Sequence, residues 1–247
     1  MKKPNNVTPN DWQLIQKKYR NIKWVLKKIA HNYPIQYLIG HVNFYGNKIM
    51  VNKNVLIPRY ETETLIAKTL EYLDALNLVP ESALEIGTGS GCISITLKKQ
   101  KPIVEITAIE ISRKALKLAK KNAKYNKCKI NFIKKDMFKY HPFNKYDILI
   151  SNPPYIREKD IIDPQTSFEP NLALYGGKDG LKYYEQIFKI AKSSLKPKHL
   201  IALEIGEEQG KALKKLAKKH FPKDVIKIEK DLPGKDRYLF VYNKTSE

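Results

Sequence analysis

From residue 83 onward, short apolar runs alternate with longer segments whose apolar residues recur every three or four positions. The apolar runs lie at 83–87, 104–110, 129–136, 146–152, 200–206, 225–229 and 238–242, and the helical patterns at 90–99, 112–125, 181–195 and 207–220. Strands that alternate with helices of roughly 10–15 residues form βαβ units with parallel strands. The sequence therefore predicts a doubly wound α/β sheet. Because no helical pattern separates the last two runs, we expect them to pair antiparallel at one edge.

The first 82 residues show a different pattern. Apolar residues spaced three and four apart predict one amphipathic helix, or two short ones, over 11–31, with Thr8 or Asn10 as the cap. A weak alternation over 42–57 predicts a β-hairpin, and helical spacing returns at 62–76. We therefore expect three parts, which are a short helical segment, a linker that carries the hairpin and an α/β domain, at residues 1–33, 34–61 and 62–247.

The composition is that of a globular protein with a large imbalance of charge. Hydrophobic residues at 42% and charged residues at 29% exclude disordered and fibrous classes. The 46 Lys and Arg against 25 Asp and Glu give a net charge of +21, which suits a nucleic-acid partner. However, only five of the basic residues are Arg, and the Lys are spread along the chain. This spread favours a coding bias over a nucleic-acid surface, so direct nucleic-acid binding is the less favoured interpretation.

Several other classes are excluded. No apolar run approaches the ~18 residues that a membrane span needs, and the first residues lack the apolar core of a secretory signal. Two cysteines, Cys92 and Cys128, are too few for a disulfide framework or a four-cysteine zinc site. We expect a cytoplasmic monomer with no bound metal and no membrane partner.

A glycine-rich turn follows the first predicted strand, with the sequence LEIGTGSG at residues 84–91. Glycine permits a tight turn and lets the backbone approach a ligand with no Cβ in the way. Ligands of open α/β sheets bind beyond the carboxyl ends of the strands, which is where this turn lies. The turn lacks the Lys-Ser/Thr of a P-loop. Its residues are the first candidates for cofactor binding: Gly87, Thr88, Gly89, Ser90 and Gly91.

Two acidic residues follow the next two predicted strands. Glu110 lies about 20 residues after the glycines, the offset at which dinucleotide sites place their ribose-binding acid. Its carboxylate can accept hydrogen bonds from both ribose hydroxyls of a nucleoside cofactor. Asp136 can bind an adenine amino group, while Met137 and its neighbours flank the ring. Taken alone, Glu110 also fits an exposed strand end, and Asp136 a plain loop.

The segment ISNPPYI at 150–156 follows the fourth predicted strand. Its two prolines stiffen the loop and leave backbone carbonyls free of sheet bonds. The amide oxygen of Asn152 and the carbonyl of Pro153 can accept both hydrogens of a planar –NH2 group, and Tyr155 can pack on its flat face. We assign catalysis to Asn152, Pro153 and Tyr155. These three and Pro154 form the substrate site, and Asn152 also belongs to the cofactor set.

The glycine turn, the acid before it and Asn-Pro-Pro-Tyr together resemble the class I S-adenosylmethionine-dependent methyltransferases that act on planar nitrogens. PIQYLIG at 34–40 and VLIPRYETE at 55–63 resemble the signature before the catalytic domain of the HemK/PrmC release-factor glutamine methyltransferases. Shorter segments match in order at 168–170, 173–174, 176–177, 179–181, 204–206 and 236–237. The resemblance covers roughly residues 34–242.

The resemblance implies a Rossmann-like fold, S-adenosylmethionine as the cofactor and peptide-chain release factors as protein substrates. It also implies methylation of N5, the side-chain amide nitrogen of the Gln in their Gly-Gly-Gln motif. Three features differ from the family. Tyr60 replaces a Pro, Glu110 replaces the usual Asp, and only about 33 residues precede Pro34, so we expect a truncated helical segment.

Two rival functions remain open at this point. The same loop suits a methyltransferase of adenine or guanine amino groups in RNA or DNA, and a cofactor-binding protein that no longer catalyses is the other. Arg59 with Glu61 and Glu63 forms either an ion-pair cluster that closes the linker over the cofactor or a solvated helix start. Glu169 either caps a helix or supports the substrate loop. Asp179 is a weaker candidate.

Overall fold

The N-terminal segment consists of short helices that form a small core of their own. In the computed structural model, which describes residues 3–243, they are α1 (Pro9–Lys18), α2 (Ile22–Ala30) and α3 (Ile35–Ile39). The helix predicted over 11–31 is thus two helices, because the backbone becomes extended at Tyr19. Thr8 caps α1, as one of the two alternatives predicted. The buried residues of this core are Val7, Trp12, Ile15, Val25, Ile29 and Leu38.

A short hairpin links these helices to the large domain. Strands β1 (His41–Phe44) and β2 (Asn47–Met50) pair antiparallel around Tyr45 and Gly46, which both have positive φ, as a two-residue hairpin turn requires. The predicted hairpin over 42–57 is therefore shorter than expected, and residues 51–59 connect it to the next helix without a strand.

The large domain contains one seven-stranded sheet. In chain order its strands are β3 (Ser82–Ile86), β4 (Glu105–Glu110), β5 (Asn131–Lys134), β6 (Tyr146–Ser151), β7 (Leu195–Glu204), β8 (Val225–Lys230) and β9 (Asp236–Tyr242). The spatial order is β5-β4-β3-β6-β7-β9-β8. Strands β3 to β7 are parallel, and β9 pairs antiparallel with both β7 and β8. The predicted doubly wound class and its antiparallel edge are confirmed, and β7 begins five residues before the predicted 200.

Helices cover both faces of this sheet. They are α4 (Tyr60–Ala75), α5 (Cys92–Gln100), α6 (Arg113–Tyr125), α8 (Lys182–Ser194) and α9 (Gly210–His220), while the short α7 (Asn171–Leu174) belongs to the connection between β6 and α8. Neighbouring residues of the central strands point to opposite sides, so Ile148 and Ile150 belong to one core and Leu149 to the other. Both faces of β6 are buried, which explains its continuous apolar run.

Asn122 of α6 connects the hairpin to the glycine turn. Its Oδ1 accepts a hydrogen bond from the Met50 N–H (2.9 Å), and its Nδ2 donates to the carbonyls of Met50 and Ser90 (both 2.9 Å). The side chain is fully buried. Asn122 therefore supplies hydrogen-bond partners to backbone groups of the hairpin and of the glycine turn that no neighbouring strand supplies.

We predict that Asn122→Ala lowers the free energy of unfolding by about 2–4 kcal/mol, because it leaves buried backbone groups without partners. Urea denaturation measures this change. The matched control is Lys121→Ala, an exposed residue of the same helix, which we expect to shift stability by less than about 0.5 kcal/mol. Equal effects of the two substitutions would contradict a linking role for Asn122.

Candidate active site

A cavity of about 360 Å³ opens at the carboxyl ends of the central strands. It lies where the strand order reverses between β3 and β6, the position at which open α/β sheets bind ligands. Most of the residues singled out from the sequence line it: Gly87, Thr88, Gly89, Ser90, Glu110, Asp136, Met137, Asn152, Pro153 and Pro154. Gly91 and Tyr155 are outside the lining.

The three glycines of the turn have different tasks. All have positive φ, at 74° for Gly87, 53° for Gly89 and 84° for Gly91, which glycine adopts without strain. A Cβ on Gly87 or Gly89 would project into open space, so these two leave the cavity free. A Cβ on Gly91 would lie 3.2 Å from the Ala119 Cβ. Gly91 therefore serves the packing of α5 on α6, and its role in cofactor binding stays a prediction.

Glu85, at the end of β3, lies beneath the glycine turn and is 1% exposed. Its Oε2 accepts hydrogen bonds from Thr88 Oγ1 (2.7 Å), from the Ser94 N–H (3.2 Å) and from the Ser94 hydroxyl. Its Oε1 has no partner among the described residues. Burial raises the pKa of Glu85 to about 7, against the lowering effect of Ser94 and Thr88. Such a carboxylate beside a cavity favours a cationic ligand group.

Glu110, at the end of β4, is buried rather than an exposed strand end. Its Oε2 accepts from the Gly89 N–H (3.0 Å) and its Oε1 from the Ser112 N–H (2.8 Å). Burial raises its pKa, and these backbone hydrogen bonds oppose the rise. Each oxygen retains a lone pair, so the carboxylate can still accept hydrogen bonds from two hydroxyls.

Asp136 begins a 3-10 turn at the far end of the cavity. Its Oδ1 accepts from the Phe138 N–H (2.9 Å), which fixes the carboxylate at the rim. Ile111 and Phe138 also line the cavity and are partly exposed there, at 43% and 41%. Together with Met137 they give this end apolar walls, as a flat aromatic base requires.

The Asn-Pro-Pro-Tyr loop forms the opposite wall. Asn152 follows β6 and donates a hydrogen bond from Nδ2 to Thr62 Oγ1 (3.0 Å). Thr62, in the first turn of α4, donates in turn to Glu204 Oε2 at the end of β7 (2.7 Å). Sequence reasoning assigned no role to Thr62 or Glu204. The available signal was an acid at a strand end, the same position that Glu85 and Glu110 occupy.

Tyr155 does not pack on the cavity as expected. Its hydroxyl donates to Glu204 Oε1 (3.3 Å), and its ring packs against the core on one face of the sheet. Burial and the charge of Glu204 hold the pKa of Tyr155 well above its usual range. A buried phenol needs a hydrogen-bond acceptor, and Glu204 draws the ring away from the ligand site.

The linker and the loop after β6 are joined by Glu169. Its buried carboxylate accepts from the Ile57 N–H (2.9 Å) and pairs with Arg59. Arg59 thus pairs with Glu169, so of the two alternatives left open for Arg59, Glu61 and Glu63, the ion-pair cluster of these three is not the one observed. This partner could not be found by spacing, because 110 residues separate the two side chains. Asp179 accepts from the Leu181 N–H (2.9 Å) outside the cavity lining.

One cysteine borders this cavity, but its thiol is not in the reactive form. Cys92 lines it, but burial raises the pKa of its thiol to about 12, so the sulfur is protonated near neutral pH. Within residues 3–243, His, Cys, Asp and Glu side chains form no group of three that could hold a metal ion. No helix in this range combines the length and apolar character needed to cross a membrane.

Comparison with known proteins gives the family. The family of methyltransferase small domains matches residues 64–168. The release factor glutamine methyltransferase of Enterococcus faecalis is 38% identical over 228 residues, which cover 91% of this chain and 81% of that protein. Its counterpart from Streptococcus pneumoniae is 40% identical over 220 residues, covering 88% and 77%.

The fold has counterparts among solved structures. A methyltransferase from Pyrococcus furiosus superposes with a TM-score of 0.60 at 20% identity, covering 92% of this chain and 98% of that one. This likeness supports the class I methyltransferase fold. Since the two bacterial relatives match over most of their own length, the chain belongs to the release factor glutamine methyltransferase family.

Proposed function

We propose that this chain transfers a methyl group from S-adenosylmethionine to the side-chain amide nitrogen, N5, of the Gln in the Gly-Gly-Gln motif of a peptide-chain release factor. The family supports the reaction and the class of protein substrate. The observation that carries the proposal is the position of Asn152 and Pro153 on the wall of a cavity whose floor is the glycine turn. This arrangement places two acceptors for a primary amide next to a nucleoside-sized cavity.

The lining fits the cofactor. The open backbone at Gly87 and Gly89 admits a ligand, Glu110 offers acceptors for ribose hydroxyls, and Asp136 offers one for an adenine amino group between apolar walls. Beneath them, the unpartnered oxygen of Glu85 favours the cationic amino-acid end of the molecule. When bound, S-adenosylmethionine supplies a methyl group made electrophilic by a positively charged sulfur.

The chain contributes orientation and electrostatics to the reaction. An amide nitrogen is a poor nucleophile, because its lone pair is delocalised into the carbonyl. Asn152 Oδ1 and the Pro153 carbonyl accept hydrogen bonds from the two N–H groups of the substrate amide, and so hold its nitrogen in one orientation. Both oxygens also stabilise the positive charge that develops on the nitrogen during transfer. The methylated amide then loses a proton to water, so no strong base is needed.

The setting of the reaction follows from the substrate. Release factors act on ribosomes, so we place the enzyme in the cytoplasm. We also propose that the enzyme acts as a monomer. The alternative, methylation of adenine or guanine amino groups in RNA or DNA, draws on the net charge of +21, but the curated relatives favour the glutamine substrate.

We predict that Asn152→Ala lowers kcat/KM for a release factor by about 100-fold or more, the scale on which removal of one transition-state contact acts. The affinity for S-adenosylmethionine should fall far less, by under about 10-fold, because Asn152 is only one of the residues assigned to the cofactor. Radiolabel transfer and calorimetry measure the two quantities. Asn144→Ala, on an exposed loop, is the matched control and should retain the wild-type rate. A fully active Asn152→Ala enzyme would refute the assignment.

A second prediction concerns Glu85, whose pKa rises from its usual 4.5 to about 7 on folding. Because folding raises this pKa, the protonated carboxyl of Glu85 makes its full contribution to the free energy of unfolding below pH 4.5. That contribution is lost as the pH rises through 7. At pH 8 we expect Glu85→Gln to raise the free energy of unfolding by about 3 kcal/mol, and at pH 4.5 by much less. The same substitution should weaken S-adenosylmethionine binding at pH 8, because the cationic group loses its counter-charge.

Urea denaturation at both pH values, with calorimetry at pH 8, measures these effects. The control is Glu71→Gln, which alters an exposed carboxylate and should change neither quantity. If the free energy of unfolding depended on pH in the same way in wild type and in Glu85→Gln, the ionised Glu85 would not destabilise the fold and the prediction would be wrong.

A further inference from the structure

Three polar side chains from separate parts of the chain form one line of hydrogen bonds that ends at the cavity. Thr62 Oγ1 lies 2.7 Å from Glu204 Oε2, and Asn152 Nδ2 lies 3.0 Å from Thr62 Oγ1. Glu204 and Thr62 are 1% and 3% exposed, so water does not replace either partner. The line joins the end of β7, the first turn of α4 and the loop after β6.

The direction of these hydrogen bonds is fixed at the Glu204 end. A carboxylate only accepts, so the single hydroxyl hydrogen of Thr62 must point to Glu204. The Thr62 oxygen can then only accept from Asn152, and only the NH2 group of Asn152 can supply that hydrogen. The reverse orientation would set two oxygens against each other without a hydrogen between them, at the cost of a buried unsatisfied group.

The surroundings of Glu204 keep it an acceptor. The Tyr155 hydroxyl donates to its second oxygen (3.3 Å). Burial raises the pKa of Glu204 to about 7, and the Thr62 hydrogen bond and the positive charge of Arg237 oppose this rise, so above that pH the carboxylate form, which only accepts, prevails. The Tyr184 hydroxyl donates to its backbone carbonyl (2.8 Å) and so fixes the end of β7. Every hydroxyl in these contacts points toward Glu204, and none competes for the direction of the Thr62 bond.

We propose that Thr62 and Glu204 are positioning residues that set the hydrogen-bond direction of Asn152, so that its oxygen and not its NH2 group faces the substrate. With the Pro153 carbonyl beside it, the site then presents two acceptors and selects the –NH2 end of a primary amide. A carboxylate or the carbonyl end of the amide would meet only acceptors there. This inference rests on the proposed function and deepens it, because it explains how the site selects the nitrogen.

The test compares three variants in transfer of labelled methyl to a release factor. Thr62→Val removes the hydroxyl at nearly constant shape, and we expect kcat to fall by about 10- to 100-fold, the cost of losing a fixed reactive geometry. KM for the release factor and the affinity for S-adenosylmethionine should stay within about 3-fold. Thr62→Ser restores the hydroxyl and should recover kcat to within about 3-fold of wild type. If Thr62→Val does not fold, Thr62→Ala replaces it, with the same expected loss.

The matched control is Thr69→Val. Thr69 is buried on the same helix, two turns from Thr62, and its hydroxyl donates within the helix to the Leu65 carbonyl (2.7 Å). It should lose a similar amount of thermal stability while keeping the wild-type kcat. A purely structural role for Thr62 would make both valine variants behave alike.

The outcomes of this test distinguish failure of the positioning role from failure of the proposed function. If wild type leaves the release factor unlabelled, the proposed function fails and the inference falls with it. If wild type is active and Thr62→Val keeps the full kcat, only the positioning role is overturned. Loss of kcat in Thr62→Ser to the level of Thr62→Val would also overturn it, because the hydroxyl would then not be the relevant group.

Discussion

Four buried glutamates organise the site in a chain whose net charge is +21: Glu85, Glu110, Glu169 and Glu204. Three of them end parallel strands, and each binds N–H or O–H donors from a loop beside the cavity. A buried carboxylate is costly unless its oxygens are hydrogen-bonded, so each one holds its loop in a single conformation. These carboxylates thus fix the glycine turn, the linker and the Asn-Pro-Pro-Tyr loop in position relative to the sheet.

This design explains how an enzyme without a strong base can act on an amide nitrogen. Within residues 3–243, one oxygen of Glu85 has no hydrogen-bond partner, and burial raises the pKa of this carboxyl to about 7, so its ionised form is unfavourable without a counter-charge. A cationic ligand pairs with the ionised carboxyl, and the free energy gained in this way contributes to the affinity for the ligand. The remaining polar groups need only to be held still, because orientation and fixed dipoles provide the catalysis.

The sequence predicted the sheet well, because alternating strands and helices leave few topologies and the loops at the carboxyl ends of strands form the site. Most of the site residues that it singled out line the cavity. It missed the roles of Thr62 and Glu204 and misplaced Tyr155, because side-chain partners between distant segments follow no spacing rule. Gly91, assigned to cofactor binding, lies outside the cavity lining for a related reason. A positive φ shows that glycine is required, and only packing shows whether a ligand or a helix needs the space.

The most direct test of the account is a methyl-transfer assay with labelled S-adenosylmethionine and three acceptors. These are a wild-type release factor, the same factor with Gln replaced by Ala in its Gly-Gly-Gln motif, and bulk ribosomal RNA or DNA. We expect label on the wild-type factor, none on the Ala variant and none on the nucleic acids. Label on nucleic acid alone, with the release factor unmodified, would contradict it.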